Sequence, residues 1–375
     1  MELGQLGIFE NIGTDKKTVE GEKLVKLLNF VDVFHNKFID GSIPQMQVSA
    51  SDRKIRDCTV EQGDIFITPS SETVDDIGHT SVITETIPNT VYSYHIMRFR
   101  LFEKNLLLSY YINYVFDTEI VKKQILKKAQ GLTRFGLSKD KFASISIPVP
   151  SPSEQSRIVE ILDTFTAAIE NLKQLIAERR KQYEHYRDEL LDLEGKEGVE
   201  ISNIAKFVKD RITANELTPQ NYTSVENLLK NKAGRQDAEN VPNNGNWIKY
   251  EKGDVLIGNI RPYLRKIWLS DRKGGTNGDV VVIRSNDNIL SKYLFYCLGS
   301  ERFFTYYIQS LKDGKMPRGE KNRVLSYVIP SMKKENQSRI VSILDTFEAI
   351  IANLEAQLKE RERQYEYYRN KLLTF

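Results

Sequence analysis

The sequence predicts a mixed α/β (α+β) chain: two globular domains joined by two long antiparallel coiled-coil helices, with an internal duplication and pseudo-twofold symmetry. Three observations lead there. Gln155-Ser156-Arg157-Ile158-Val159 through Gln182-Tyr183-Glu184 returns as Gln337-Ser338-Arg339-Ile340-Val341 through Gln364-Tyr365-Glu366 at a constant offset of 182 residues. Aligned without a gap, Gln155 to Leu193 and Gln337 to Phe375 share 23 identities in 39 positions, more than common helical composition would produce. Each copy carries an apolar seam of heptad spacing, and each follows a block of β-branched runs and Gly-Asp turns.

In the first copy the seam is Phe165, Ile169, Leu172, Ile176, Arg179, Tyr183, Tyr186, Leu190 and Leu193; in the second it is Phe347, Ile351, Leu354, Leu358, Arg361, Tyr365, Tyr368, Leu372 and Phe375. Steps of four and three keep these side chains on one stripe while Glu, Lys, Arg and Gln fill the rest. Each seam covers 29 residues, about 43 Å at the helical rise. One such helix alone is marginal in water, so two seams matched in length and residue size pair most simply with each other, antiparallel. Arg179 and Arg361 either fix the register of that pairing or snorkel from its edge. Pro152, Ser153 and Glu154 supply a helix start, Ser331 and Glu335 a looser one, and Gly195 and Gly198 a stop.

The two blocks keep a skeleton while their other residues diverge. Leu3, Leu6 and Phe9 answer Ile201, Ile204 and Phe207; Glu61 to Ile67 answers Glu251 to Ile257; Ile147-Pro148 answers Ile329-Pro330. The offset drifts from 198 to 190 to 182, so loops changed length on a retained scaffold. Gly63-Asp64 and Gly253-Asp254 read as turns entering buried strands; Val91 to Ile96 and Asp279 to Arg284 read as further strands; Leu106 to Lys128 and Ser291 to Gln309 read as helical.

Composition bounds the rest. At 375 residues and 43.3 kDa, each half is long enough for its own core. Two lone cysteines, Cys58 and Cys297, give neither a disulfide framework nor a thiolate metal site. His35, His79, His95 and His185 lack ligand spacing, and His185 occupies the place of Tyr367, a packing position. Trp247 and Trp268 suit the core better than base stacking. No apolar run reaches a membrane span and Met1 to Phe9 has no leader character, so a cytoplasmic protein is expected. The net charge of +3 means that any polyanion site must come from local clustering.

With helix repeat, duplicated skeleton and diverged blocks in place, the whole chain resembles the specificity subunit of type I restriction-modification systems. The most telling stretch is Gly63 to Thr73 with Ile77-Gly78-His79-Thr80, which looks like a recurring strand and polar loop of that family's recognition domains; the second is Ile-Pro before each long helix. The resemblance implies target recognition domain 1 at residues 1–152, helical spacer 1 at 153–194, target recognition domain 2 at 195–334 and helical spacer 2 at 335–375. It further implies a non-catalytic reader of double-stranded DNA, acting in phage defence, that binds two modification subunits and, through them, restriction/translocase subunits. Adenine methylation with S-adenosylmethionine, and ATP- and Mg-dependent translocation, would belong to those partners. In agreement, no methyltransferase motif, Gly-rich cofactor loop or P-loop occurs.

Recognition domains at the ends of the spacer would address major-groove segments about one turn apart, about 34–36 Å, and thus an asymmetric bipartite target. Candidate DNA contacts in the first block are Arg53, Lys54, Arg56, Thr68, Ser70, Ser71, Glu72, His79 and Arg134. In the second they are Asn259, Arg261, Tyr263, Arg265, Lys266, Lys312, Lys315 and Arg318. Arg reads guanine, Asn adenine and Glu the cytosine amine, while Lys mainly neutralises phosphate. Arg53, Lys54 and Arg56 also suit a solvated loop, and Glu72 a helix cap. Three cations around an aromatic, in Arg261-Pro262-Tyr263-Leu264-Arg265-Lys266 after Gly-Asn, make the sharpest cluster. A protein-assembly scaffold is the competing reading; it predicts no sequence-specific footprint. A self-sufficient DNA-modifying enzyme is the third, and would methylate DNA without partners.

Overall fold

The computed structural model describes residues 1–103, 108–309 and 316–374. Lys312, Lys315 and Phe375 lie outside them, as do the first residues of the helix expected from Leu106. Two compact units form: unit 1 comprises Met1–Leu172 with Gln357–Phe375, and unit 2 comprises Lys173–Ala356.

In unit 1 the run Ile65–Ile67 is central to a five-stranded sheet ordered Gly7–Glu10, Met97–Leu101, Ile65–Ile67, Thr80–Ile83, Phe38–Ile39. A second sheet joins Met46–Ala50, Lys23–Leu28 and Thr90–Tyr92. The period of two explains why Ile65-Phe66-Ile67 is buried throughout: Ile65 and Ile67 face one core with Phe99, Ile112, Phe142 and Leu162, while Phe66 faces another with Leu27, Val48 and Tyr92. Unit 2 repeats the arrangement. Its four-stranded sheet runs Ala205–Phe207, Val280–Ser285, Val255–Gly258, Ile267–Leu269, and its three-stranded sheet runs Arg211–Thr213, Asn246–Tyr250, Gly274–Thr276. Val255 and Ile257 enter one core and Leu256 the other.

The Gly-Asp turns are cross-braced. Gly63 and Gly253 take the left-handed backbone at φ +86° and +92°. Asp64 accepts from the Glu61 N–H at 2.9 Å and takes Arg100 on both oxygens at 2.6 Å. Asp254 accepts from the Glu251 N–H at 2.8 Å and takes Arg284 at 2.8 and 2.7 Å. Each aspartate is buried, and its partner comes from the neighbouring strand. These bonds hold the Arg100 and Arg284 guanidiniums above the ordinary arginine pKa.

Three expected elements need correction. The stretch to Lys128 is two helices, Ser109–Phe116 and Glu119–Lys128, and the later one is also two, Ser291–Leu298 and Glu301–Ile308. Thr118 and Ser300 break them: each hydroxyl bonds back to a carbonyl three residues earlier and accepts from the N–H three residues later, a cap that ends one helix and starts the next. The strand expected over Val91 to Ile96 ends at Tyr92, where Ser93 turns the chain through its bonds with the Ile96 N–H and the His95 N–H.

The long helices are Pro152–Leu190 and Lys334–Leu373. Within unit 1, Phe165 stacks on Tyr368 at 5.3 Å, and Ile158, Leu162 and Leu373 share the domain core. Within unit 2, Arg180 pairs with Glu355, the Tyr183 hydroxyl donates to Glu348 and Tyr186 stacks on Phe347. As one number rises the other falls, so the segments in each unit run antiparallel. Seam residues Ile169, Leu172, Leu190, Ile351, Leu354, Leu358, Tyr365 and Leu372 are half-buried and Ile176 is buried. Arg361 is exposed with its guanidinium 5.7 Å from the Phe165 ring, and Arg179 donates to Gln182. The supposed packing position of His185 and Tyr367 is exposed in both copies.

Each unit fixes its domain to its long helix through the same residues. The side-chain oxygen of Gln155 accepts the Leu108 N–H at 2.9 Å, and its amide donates to the Pro150 carbonyl at 2.9 Å. Gln337 does the same with Leu290 at 2.8 Å and Met332 at 2.9 Å. Tyr111 and Tyr293 donate to the Pro148 and Pro330 carbonyls, and Tyr114 and Tyr296 to Asp163 and Asp345. Burial, reinforced by those aspartates, drives the Tyr114 and Tyr296 hydroxyls well above the usual tyrosine pKa, so both remain donors.

Candidate nucleic-acid interface

In unit 1 the chain leaves the central strand at Thr68-Pro69 and forms a two-residue ribbon, Ser70–Ser71, antiparallel to Phe135–Gly136. The Leu137 N–H closes it on the Pro69 carbonyl at 2.9 Å. Arg134 reaches across, its Nη2 3.3 Å from the Ser70 hydroxyl, and Ser71 and Glu72 lie on the same segment. Gly131 turns the approach at φ +142°, where a Cβ would sit 1.9 Å from the Arg134 carbonyl oxygen.

The remaining first-block candidates divide by exposure. Thr68 is fully buried; its hydroxyl donates to the Asp76 carbonyl at 3.1 Å and accepts the His79 N–H at 3.0 Å, so it shapes the loop from inside. His79 is half-buried against Phe34 at 4.5 Å, and burial lowers its pKa. The unfolded chain therefore takes up this proton first, and stability declines as pH falls below about 6.5, the unfolded value. Acid titration of unfolding should find His79→Gln less sensitive than the native chain between pH 7 and 5; equal slopes would remove His79 as the cause. Arg53, Lys54 and Arg56 lie on a short helix, Asp52–Asp57, not a loop, because Ser51 caps it through the Lys54 N–H. Arg53 and Arg56 are exposed, whereas the Lys54 ammonium donates to the Ile12 and Gly13 carbonyls. That helix packs beside the three-stranded sheet, on Met46–Ala50 and Thr90–Tyr92.

Unit 2 builds the equivalent ribbon at the same offsets. Ile260 bridges Arg318, the Arg261 N–H donates to the Pro317 carbonyl at 2.8 Å, and the Gly319 N–H closes on the Asn259 carbonyl at 3.2 Å. Asn259 is buried, its side-chain oxygen accepting from the Tyr307 hydroxyl, so it supports the ribbon from beneath. Beside the ribbon opens a cleft of about 520 Å³ bordered by Arg261, Lys266, Arg318, Asp279, Asn277 and Glu226. Arg318 is exposed and steadied by Asp279 at 3.1 Å. Arg261 is exposed, and among the described residues its guanidinium has no partner. Tyr263 is 46% exposed. Lys266 instead donates to the Val225 carbonyl at 2.6 Å, and burial lowers its pKa.

The backbone here is strained. Arg261 and Arg265 both adopt φ +50°, flanking the turn Pro262–Leu264, a conformation that costs a non-glycine residue roughly 1–3 kcal/mol. Arg265 pairs with Glu301 at 2.7 Å, Lys232 pairs with the other Glu301 oxygen at 3.1 Å, and the Lys232 N–H donates to the Arg265 carbonyl at 2.9 Å. Burial pushes the Glu301 carboxyl up, but these cations outweigh it and hold the group below the usual glutamate range. Asp279, Glu301 and Lys232 were not among the sequence candidates; the turn Asn277-Gly278-Asp279 was the one local signal, since Glu301 and Lys232 meet Arg265 only through the fold.

A sequence model of the type I restriction modification DNA specificity domain matches residues 37–178 and 194–361, one copy for each half. The chain belongs to that specificity family. Two curated relatives in the family are similar over about two thirds of this chain. A type I restriction enzyme specificity subunit of Escherichia coli is 27% identical over 277 residues, 62% of this chain and 64% of its own length. A putative type I specificity subunit of Haemophilus influenzae is 30% identical over 270 residues, 65% of this chain and 68% of its own. The type I S subunit from M. genitalium, known from a crystal structure, matches with a TM-score of 0.58 at 13% identity, covering 100% of this chain and 96% of that one. A chain from a type I restriction-modification assembly matches at TM-score 0.60 and 13% identity, covering 100% and 95%. These two likenesses concern the fold. No helix among the described residues is long and apolar enough to cross a membrane.

Proposed function

We propose that this specificity-family chain is the DNA-recognition subunit of a type I restriction-modification complex and that each unit reads one half of an asymmetric bipartite target. The observation that carries this reading is the repeated ribbon, which sets different side chains on the same two-segment frame: Ser70, Ser71 and Arg134 in unit 1, Arg261 and Arg318 in unit 2. A ribbon of this width suits the major groove, where arginine pairs bidentately with guanine and hydroxyls take either partner. Two frames with different side chains would read two different half-sites. The seamed helices would set the gap between half-sites and dock two modification subunits, with restriction/translocase subunits held through them. Methyl transfer from S-adenosylmethionine, ATP hydrolysis and Mg binding fall to those partners, and the chain itself performs no chemistry. The cytoplasm is the place such a complex would act.

Base-resolution adenine methylation, in cells holding the modification subunit with and without this chain, tests the reading. A split asymmetric motif that appears only with the chain is the expected result; an assembled complex with no new motif would favour a protein scaffold. In the same assay Leu172→Asp with Leu354→Asp places a charge in each half-buried seam, an effect of several kcal/mol, and is expected to abolish the motif. Normal methylation by that double variant would remove the seam from the mechanism.

A further inference from the structure

Five non-glycine residues of the described chain have positive φ, and four of them, Asn231, Lys232, Arg261 and Arg265, lie in two turns of unit 2. The two turns are bonded to each other through the Lys232 N–H and the Arg265 carbonyl. One carboxylate, Glu301, spans them, taking Lys232 on one oxygen and Arg265 on the other. We propose that Glu301 is a positioning residue for target recognition: it clamps Arg265 and Lys232, holds the strained turn 261–265 in its left-handed conformation, and thereby presents Arg261 and Tyr263 to the second half-site. This rests on the proposed reading of unit 2 as a DNA-reading domain.

Arginine has no intrinsic reason to enter the left-handed region twice within five residues. Pro262, at the first position of the short turn, fixes its own φ and steers Arg261 away from the right-handed helical region, but neither effect selects the left-handed one. The outward force must come from contacts, and they converge on Arg265: its carbonyl accepts from Lys232 and its guanidinium meets Glu301. Glu301 is itself placed by the Ser300 cap, which begins the helix Glu301–Ile308 and so fixes where the carboxylate stands. The same helix supplies Tyr307, which holds Asn259 at the start of the ribbon. One helix of eight residues therefore sets both ends of the segment 259–265. Arg265 loses its role as a base reader in this arrangement, because its charge is spent on Glu301, while Arg261 remains unpaired among the described residues.

The test uses the full chain assembled with its modification subunits and measures binding to DNA carrying its motif, to DNA altered in the second half-site and to DNA altered in the first. Glu301→Gln, which keeps the side chain's size, is expected to reduce discrimination at the second half-site about 10-fold, the scale of one lost base contact, and to leave the first half-site alone. Arg265→Ala should do the same, and the double variant should lose no more than either single change, as expected of one shared interaction. Arg265→Lys separates clamp from reader: a lysine still reaches Glu301 and should retain discrimination within about twofold, whereas a direct guanine contact would be lost. Native discrimination in Glu301→Gln together with a loss in Arg261→Ala would overturn the clamp and leave the reading turn standing. If Arg261→Ala also left the second half-site unchanged, the assignment of this turn to DNA would itself fail. Each variant is checked by its melting profile, and should Glu301→Gln fail to fold, Arg265→Lys against Arg265→Ala decides alone.

Discussion

Asp254→Ala is expected to unfold unit 2 at a denaturant concentration where unit 1 still stands. Asp254 is 2% exposed and carries three bonds, from the Glu251 N–H and from two nitrogens of Arg284. Its removal strands a half-buried guanidinium and a turn N–H together, a loss on the order of 3–5 kcal/mol. Asp210 also touches Arg284 but is largely exposed, so it cannot replace the lost carboxylate. Unfolding of the full chain, followed by tyrosine and tryptophan fluorescence, should separate into two transitions, with the signal of Trp247 and Trp268 in the earlier one. Asp64→Ala should reverse the order, since Arg100 and the Glu61 N–H depend on Asp64 in the same way. A single unshifted transition for Asp254→Ala would mean that the cross-brace contributes little.

Arg261→Ala is expected to erase discrimination at one half of the target while leaving the other intact. The exposed guanidinium at the lip of the cleft, unpaired among the described residues, is placed to engage a base edge, worth about 1–3 kcal/mol of discrimination. Fluorescence anisotropy on paired target and mismatched duplexes, with the assembled complex, measures the change directly. A uniform loss across all sequences, with a shallower dependence on salt, would assign Arg261 to a phosphate instead. Lys266→Ala should behave differently, lowering the stability of unit 2 more than its affinity, because its ammonium holds the Val225 carbonyl.

The helices and the skeleton were legible because their signals are local and repeated: a heptad stripe, a Gly-Asp turn, an Ile-Pro stop. The ribbon was legible only in pieces. Ser70 and Arg134 stood in the sequence as separate candidates 64 residues apart, and Arg261 and Arg318 as separate candidates 57 apart, because nothing local announces that two loops will pair. The Gly-Asp motif was read as a turn, but its aspartate is explained by an arginine on a strand 30 or 36 residues later. The helix breaks at Thr118 and Ser300 carried a capping signal that the long apolar periodicity masked. The left-handed arginines had no signal at all, since the usual marker of positive φ is glycine.

The glutamines at the head of each long helix bear on how the two blocks can change. Among the described residues, Gln155 and Gln337 meet main-chain atoms of the blocks they hold, an N–H at Leu108 or Leu290 and a carbonyl at Pro150 or Met332. A carbonyl is supplied by every residue type and an N–H by every type but proline, so most substitutions at those positions leave this grip standing as long as the local backbone path survives. The glutamine grip and the reading surface thus draw on different parts of the polypeptide, and among block side chains it is Tyr111, Tyr114, Tyr293 and Tyr296, not the readers, that the attachment needs.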